Sequence, residues 1–485
     1  MNAGLAIHGS FAYIGSRTDS SGEHPHPGVL IVDVSDPARP RVVGEIGPND
    51  RPVIGLSSRE LRVWPQGSLL IVMNISCERT LHRCRETNPP SSIDFYDIGG
   101  TLGGSPRLIS TYRPPLEPHE MYLWVDPMRE NRALLYLSTN TPARGRPHLI
   151  VVDISSAREG SFRELVKWNG ISAPDSQRAS ASPFQLHSVF LSADGRRGYL
   201  AYWAGGFHIV DTSELAEARP DPMIRSVNAP SRGATWRGAQ AHSAVKVPGR
   251  PLVILTDEVY SPGCPWGWTR TADISEETRP RLAGQFRLVQ NHHGWCETIE
   301  GRSSRHLNFS SHNPTSTGEV ALISWHSAGL QAVDIRNPLH PIGAGAFLPD
   351  PLARVSTEDP GVTGGRRGVA MWSFPIVRDG LIHVVDIRNG LYLLRYAGVG
   401  GDQLAKVSFL EGNSNLGDAA ALVRATPAEP ATAPPTTKAT EALDPDVTRT
   451  DAPRNVSPWR IVVGSAGAAA LIGLLVAWGM RRLRR

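Results

Sequence analysis

The sequence predicts an all-β chain folded as a seven-bladed β-propeller, and three observations carry that reading. One motif recurs: Val29-Leu30-Ile31-Val32-Asp33-Val34-Ser35, Ser92-Ile93-Asp94-Phe95-Tyr96-Asp97-Ile98, Leu149-Ile150-Val151-Val152-Asp153-Ile154-Ser155, Phe207-His208-Ile209-Val210-Asp211-Thr212-Ser213 and Leu330-Gln331-Ala332-Val333-Asp334-Ile335-Arg336. A degenerate copy stands at Thr269-Arg270-Thr271-Ala272-Asp273-Ile274-Ser275, and Leu391-Tyr392-Leu393-Leu394-Arg395-Tyr396 closes the series. Two shorter apolar runs precede each copy across turn residues, as in Gln185-Leu186-His187-Ser188-Val189-Phe190-Leu191 and Gly198-Tyr199-Leu200-Ala201-Tyr202-Trp203, which reads as an antiparallel meander. The 485 residues include 47 Gly and 40 Pro, an excess that suits a fold built largely of turns.

Taken in order, blade 1 opens with Leu5-Ala6-Ile7-His8 and Phe11-Ala12-Tyr13-Ile14-Gly15, with no signal peptide ahead of them in the sequence as given. Its loop carries His24 and His26, read as a solvated Pro-rich loop rather than as metal ligands. Blade 2 has Leu61-Arg62-Val63-Trp64 and Leu69-Leu70-Ile71-Val72-Met73, then a polar insertion holding Cys77 and Cys84. Blade 3 starts at Pro118-His119-Glu120-Met121, blade 4 at residue 184, blade 5 at Ala241-His242-Ser243 and blade 6 at Ser311-His312-Asn313-Pro314. Blade 7 has Met371-Trp372-Ser373-Phe374-Pro375, Leu381-Ile382-His383-Val384-Val385 and the closing run, with Lys406-Val407-Ser408-Phe409 expected as its outer strand.

The propeller is expected to fill residues 1–410. Residues 411–458, rich in Ala, Pro and Thr, lack hydrophobic periodicity and read as a disordered stalk. Residues 459–480 read as a transmembrane helix: Ile461 to Met480 is a run of twenty residues without a charge, about 30 Å of helix, flanked by Trp459 and Trp478. Residues 481–485 carry Arg481, Arg482, Arg484 and Arg485, a tail that places the C-terminus in the cytoplasm and the propeller outside the cell membrane on a single span. Four of the positive charges lie in that tail and the net charge is only +4, which excludes nucleic-acid binding through a basic face.

His119, His187, His242 and His312 each open the innermost strand of four consecutive blades. First strands line the central channel of a propeller, so these imidazoles are expected to converge, either as ligands of a transition metal (Cu, Fe or Zn) or as caps bonded to neighbouring backbone. Glu120, Asp257 and Glu258 are candidates for further ligands or for acceptors that would orient an imidazole. Cys77 with Cys84, and Cys264 with Cys296 across the degenerate copy of blade 5, read as disulfides of an oxidising compartment.

The apolar run, Asp, apolar residue and Ser or Asn of the repeated motif resemble the LVIVD repeat family, which implies a propeller over residues 3 to 410. His242-Ser243-Ala244 followed by Thr256-Asp257-Glu258 is similar to a strand pair of the selenium-binding protein or methanethiol oxidase propellers, a metal-dependent group, and the four histidines are analogous to the iron site of carotenoid oxygenases.

Two functions follow. The first is a membrane-anchored surface protein whose propeller binds or scaffolds a protein, polysaccharide or small molecule, since no Gly-x-Ser-x-Gly or His-Glu-x-x-His motif is present. The alternative is a metal-dependent propeller oxidoreductase with a His-rich central site. Whether the protein is an enzyme turns on those histidines.

Overall fold

The computed structural model describes residues 2–17, 28–47, 56–76, 90–139, 146–170, 185–228, 234–236, 239–260, 263–355 and 368–417, together with the backbone of 459–461. Seven antiparallel sheets follow one another along the chain, six of four strands and a last one of five. Blade 1 is Asn2–His8, Phe11–Ser16, Val29–Asp33 and Arg41–Ile46, with each strand paired to the next. All seven copies of the motif fall on third strands, from Val29–Asp33 in blade 1 to Gly390–Tyr396 in blade 7. The all-β seven-bladed propeller is therefore as expected.

Burial explains the sequence pattern. Inner strands such as Leu56–Trp64 and Pro118–Val125 are buried throughout, whereas outer ones such as Arg41–Ile46 expose most of their length. The continuous Leu/Ile/Val runs are covered on both sheet faces, because each blade is packed between two others. There is accordingly no single core but a ring of them. One cluster joins blades 2 and 3 (Phe95, Leu123), the next blades 3 and 4 (Tyr136, Leu200), and the ring closes with blade 7 against blade 1 (Leu393, Ile14). Asn2 ties that closure, its backbone N–H donating to Ile387 O at 2.9 Å.

The motif's aspartate has a local role. Oδ1 of Asp33, Asp153, Asp211, Asp273 and Asp334 accepts the backbone N–H two residues on, at 2.8 to 3.0 Å, which folds the turn leading out of the third strand.

Blade 7 departs from expectation. Phe409–Leu410 pairs with Ile376–Arg378 on the axial side of the sheet, not on its outer edge, and Trp459–Ile461 pairs with Gly390–Tyr396 as the outer strand. The segment after Leu410 then crosses the far end of the channel: Asn413 O accepts from Arg62 Nε at 3.1 Å, and the Asn415 amide bonds both the N–H and the C=O of Val125 at 2.7 Å. Residues 411–417 thus belong to the folded body, past the expected boundary at 410. They could not be read as structure because many of the contacts that hold them are to blades 2, 3 and 4, far away in sequence. Residues 462–480, the loop with His24 and His26, and Cys77 and Cys84 lie outside the described residues. Among the described residues no helix is long and apolar enough to cross a membrane.

One irregularity recurs in the inner strand of every blade. In blades 4 and 5 an extra residue, His187 and His242, is inserted in the ladder to the second strand; in blade 2 it is Arg59. Ser138 of blade 3 faces both His119 and Glu120, and Gly15 of blade 1 faces Ala3 and Gly4. In blade 6, His312 N donates to Ser324 O and Ser324 N to Asn313 O. In blade 7 the N–H groups of Trp372 and Ser373 both reach Val385 O. Such a β-bulge bends the strand and re-aims the inserted side chain.

The bulges are fastened across blades by hydroxyls. Ser138 Oγ donates to His187 O (2.7 Å), Ser188 Oγ to His242 O (2.6 Å), Thr256 Oγ1 to His312 O (2.6 Å) and Ser324 Oγ to Ser373 O (2.6 Å). Each is buried, so deleting one leaves a carbonyl without its partner in a dry interior. Thr256→Val is expected to cost about 1–3 kcal/mol, read as a lowered midpoint in urea or thermal unfolding; an unchanged midpoint would show the clasp to be dispensable.

Candidate metal centre at the hub of the ring

The repeated bulge turns equivalent positions of successive blades toward one point on the axis. In blade order these are Ala3, Arg59, His119, His187, His242, His312 and Trp372. The four imidazoles and the indole form a continuous arc, with centroid separations of 4.4 Å (His119 to His187), 3.9 Å (His187 to His242), 4.1 Å (His242 to His312) and 4.3 Å (His312 to Trp372). The predicted convergence of the four histidines is present.

A second set of side chains comes from the ends of second strands. Glu258 follows the second strand of blade 5, His326 that of blade 6, and Trp203 ends that of blade 4, its ring 5.2 Å from that of His187. His326 sits at positive φ (24°), its Nε2 2.7 Å from Glu258 Oε1, and Tyr260 Oη donates to the same oxygen at 2.6 Å. His326 went unrecognised in the sequence because the search followed first strands. Its place after Ser324-Trp325 is equivalent to that of Glu258 after Thr256-Asp257, and this was the available signal.

An accounting of lone pairs shows what the cluster offers. His242 uses Nδ1 on Ser243 Oγ (2.8 Å), His312 uses Nδ1 on Trp372 O (2.9 Å), and His187 uses Nε2 on His119 Nε2 (2.8 Å). The other ring nitrogen of each then faces a carboxylate. His187 Nδ1 lies 3.6 Å and His242 Nε2 3.8 Å from Glu120 Oε1; His242 Nε2 lies 3.7 Å from Glu258 Oε2, and His312 Nε2 3.6 Å from Glu258 Oε1. These separations are too long for hydrogen bonds. They are a few tenths of an ångström longer than the roughly 3.0–3.5 Å between two donors about 2.1 Å from one ion, so the groups would draw in slightly around it. Glu120, His187 and His242 form one such triad, and His242, Glu258 and His312 a second that shares His242.

The electrostatics agree. Burial, reinforced by the neighbouring imidazoles, holds His242 and His312 well below the ordinary histidine value, and burial with Arg59 lowers His119 to about 3. These rings are therefore neutral at any physiological pH, the form that binds metal. Burial and then the nearby Glu60 push Glu120 well above the usual carboxylate range. Burial also acts to raise Glu258, but the hydrogen bonds from His326 and Tyr260 and the adjoining imidazoles outweigh it and leave its carboxyl lowered.

Of the two roles expected for Glu120 and Glu258, the geometry favours that of further ligands, since each belongs to a group that could hold a metal ion. Two expectations need correction. His119 lies in neither carboxylate triad and instead bonds and orients His187. Asp257 faces away from the hub: its carboxylate pairs with Arg270 and accepts Trp236 Nε1 at 2.9 Å, because neighbours on a strand point to opposite faces. Away from the hub, Cys264 and Cys296 form the expected disulfide, Cα atoms 5.8 Å apart.

Residues 2–46, the whole of blade 1, match the LVIVD repeat model. Comparison with curated proteins finds no match. Among solved structures, the chain is similar to the periplasmic gluconolactonase PpgL of Pseudomonas aeruginosa, at 12% identity over 83% of this chain and 96% of that one, with a TM-score of 0.53. It is also similar to the β-propeller domain of Cps50 (Swd1) from Myceliophteria thermophila (13% identity, 81% and 95% covered, TM-score 0.42). A third is a hypothetical selenium-binding protein from Sulfolobus tokodaii (11%, 80% and 82%, TM-score 0.42). At 12% identity the likeness to the gluconolactonase speaks to the fold alone. The chain is a seven-bladed β-propeller that opens on an LVIVD repeat.

Proposed function

We propose that this protein is a metal-dependent enzyme of the oxidoreductase class, with one ion held at the hub by His187, His242, His312, Glu120 and Glu258. The observation that carries the reading is the set of three imidazoles, each with one nitrogen engaged and the other turned to a carboxylate at 3.6 to 3.8 Å. Five protein donors exceed the four of a tetrahedral zinc site, so a six-coordinate ion such as iron, or copper, is favoured. Such an ion would supply electron transfer and Lewis acidity. The chain's own contribution is a buried setting with Trp203 and Trp372 packed on the imidazoles, a carboxylate fixed by His326 and Tyr260, and a His119 that sets the tautomer of His187.

We further propose that the propeller is displayed outside the cell membrane. The support is the charge-free run that continues through residues 462–480 after the strand Trp459–Ile461, the arginine tail behind it, and the disulfide, which suits an oxidising compartment.

Elemental analysis of the purified full chain is expected to find about one transition-metal ion per chain, lost in His187→Ala and His242→Ala. Metal-free protein of equal stability in all three would remove the enzyme and leave a tethered binding protein. The pH dependence has a fixed sign. Because burial raises Glu120 well above the usual carboxylate range while His242 and His312 are held well below the ordinary histidine value, binding the ion expels the Glu120 proton. Metal affinity is therefore expected to rise with pH, up to tenfold per unit below the Glu120 pKa. In Glu120→Gln, titration with a chelator-buffered metal should give a weaker but flatter profile; a profile as steep as wild type would assign the proton elsewhere.

A further inference from the structure

We propose that a cavity at the far end of the channel from the hub is a binding site for a small uncharged alcohol or phenol, its apolar body held by Ile7, Val63 and Phe409 and its hydroxyl by the His8 imidazole. The inference is independent of the metal reading.

The inner strands of blades 7, 1 and 2 end side by side at Arg378, His8 and Trp64. Ala3 of the hub and His8 lie on one strand, so at about 3.3 Å per residue the two ends are roughly 16 Å apart. Phe409–Leu410 is paired to the inner strand of blade 7, and the chain then leaves for blade 3, where Asn415 is fastened to Val125. Between that crossing segment and the strand ends of blades 1 and 2 lies a cavity of about 300 Å³, at the lower end of what small ligands occupy.

Its walls are of two kinds. Ile7, Val63, Pro65, Phe409 and Leu416 offer hydrocarbon, against which confined water finds few partners, so an apolar body that displaces it is favoured. His8, Arg378, Asp379 and Ser408 supply the polar part. The charges among them already answer one another: Arg378 Nη1 donates to Gly9 O, and its Nε donates to Asp379 Oδ2 at 3.4 Å. A charged ligand would upset that balance. The His8 side chain is different, half-buried and without a hydrogen bond among the described residues; burial, then the Arg378 charge, lowers its pKa. A neutral imidazole presents one N–H donor and one acceptor nitrogen. A hydroxyl both donates and accepts, and is the smallest uncharged group that can use either nitrogen.

The test titrates the full chain calorimetrically with straight-chain alcohols from butanol to octanol and with phenol and cresol, each against its methyl ether and the carboxylate of the same carbon body. At least one alcohol or phenol should bind saturably, about tenfold tighter than its ether and its carboxylate. His8→Leu should bring alcohol and ether to equal affinity. Ser408→Trp, which fills the cavity from its exposed rim, should abolish both, with the thermal unfolding midpoint and metal content of each variant unchanged. No saturable binding, binding that survives Ser408→Trp, an alcohol preference that persists in His8→Leu, or a preference for the carboxylate overturns the inference. None of these outcomes touches the metal centre, which stands or falls on metal content.

Discussion

The interaction on which this molecule depends is the β-bulge of each inner strand, clasped at four of the blade interfaces by a buried hydroxyl from the preceding blade. A regular inner strand would send alternate side chains into the two inter-blade cores. Two residues facing one, as His119 and Glu120 face Ser138, break that alternation at one register and bring an inserted side chain to the axis. The clasp fixes where it points, because Ser138, Ser188 and Thr256 each bond the carbonyl of a histidine one blade further on. Blade 4 shows that the bond matters rather than its donor. It carries Ala201 where blades 3 and 5 have Ser138 and Thr256, and Ser188 of its inner strand supplies the hydroxyl instead.

This arrangement concentrates ionisable groups where they are expensive. Burial holds His242 and His312 well below the ordinary histidine value and Glu120 well above the usual carboxylate range, so these groups favour their uncharged forms, while Glu258 is held lowered by the groups around it. The seven inter-blade cores are what the fold has to set against that cost. The arc is also oriented from outside: Trp372 O, Ser243 Oγ and His119 each occupy one imidazole nitrogen and leave its partner turned inward. Preorganisation of this kind is worth little to a structural cap, which needs only a hydrogen bond, and a good deal to a coordination site.

Much of this could be read in the amino-acid order. All seven third strands were legible, because a largely apolar run recurs along the chain, degenerate only in blade 5, and in six cases ends in a turn-forming Asp. The first-strand histidines were legible because a repeat makes positions comparable. What escaped notice arises from contacts distant in sequence. Segment 411–417 is built against Arg62 and Val125, and nothing near it in the chain announces that. His326 was hidden by an assumption that the channel is lined by first strands alone, and Asp257 was misplaced because adjacency in sequence was taken for adjacency in space.

The bulge also explains how a repeating fold comes to hold a site without symmetry. Blades differ little in backbone at the hub, since the same two-against-one pairing occurs in blades as unlike as the first, with Ala3 and Gly4, and the third, with His119 and Glu120. What differs is the inserted residue, and exchanging it leaves the ladder hydrogen bonds in place. Chemistry can therefore be varied blade by blade at little structural cost, imidazoles on one arc and arginine and indole on the other. Between blades 1 and 2, glycines stand where the backbones approach closely: a Cβ on Gly15 would lie 2.1 Å from the carbonyl oxygen of Ser58, and one on Gly4 2.6 Å from that of Arg59. Blade 1 thus gives up its hub side chain so that blade 2 can present Arg59, and the asymmetry of the site follows from packing.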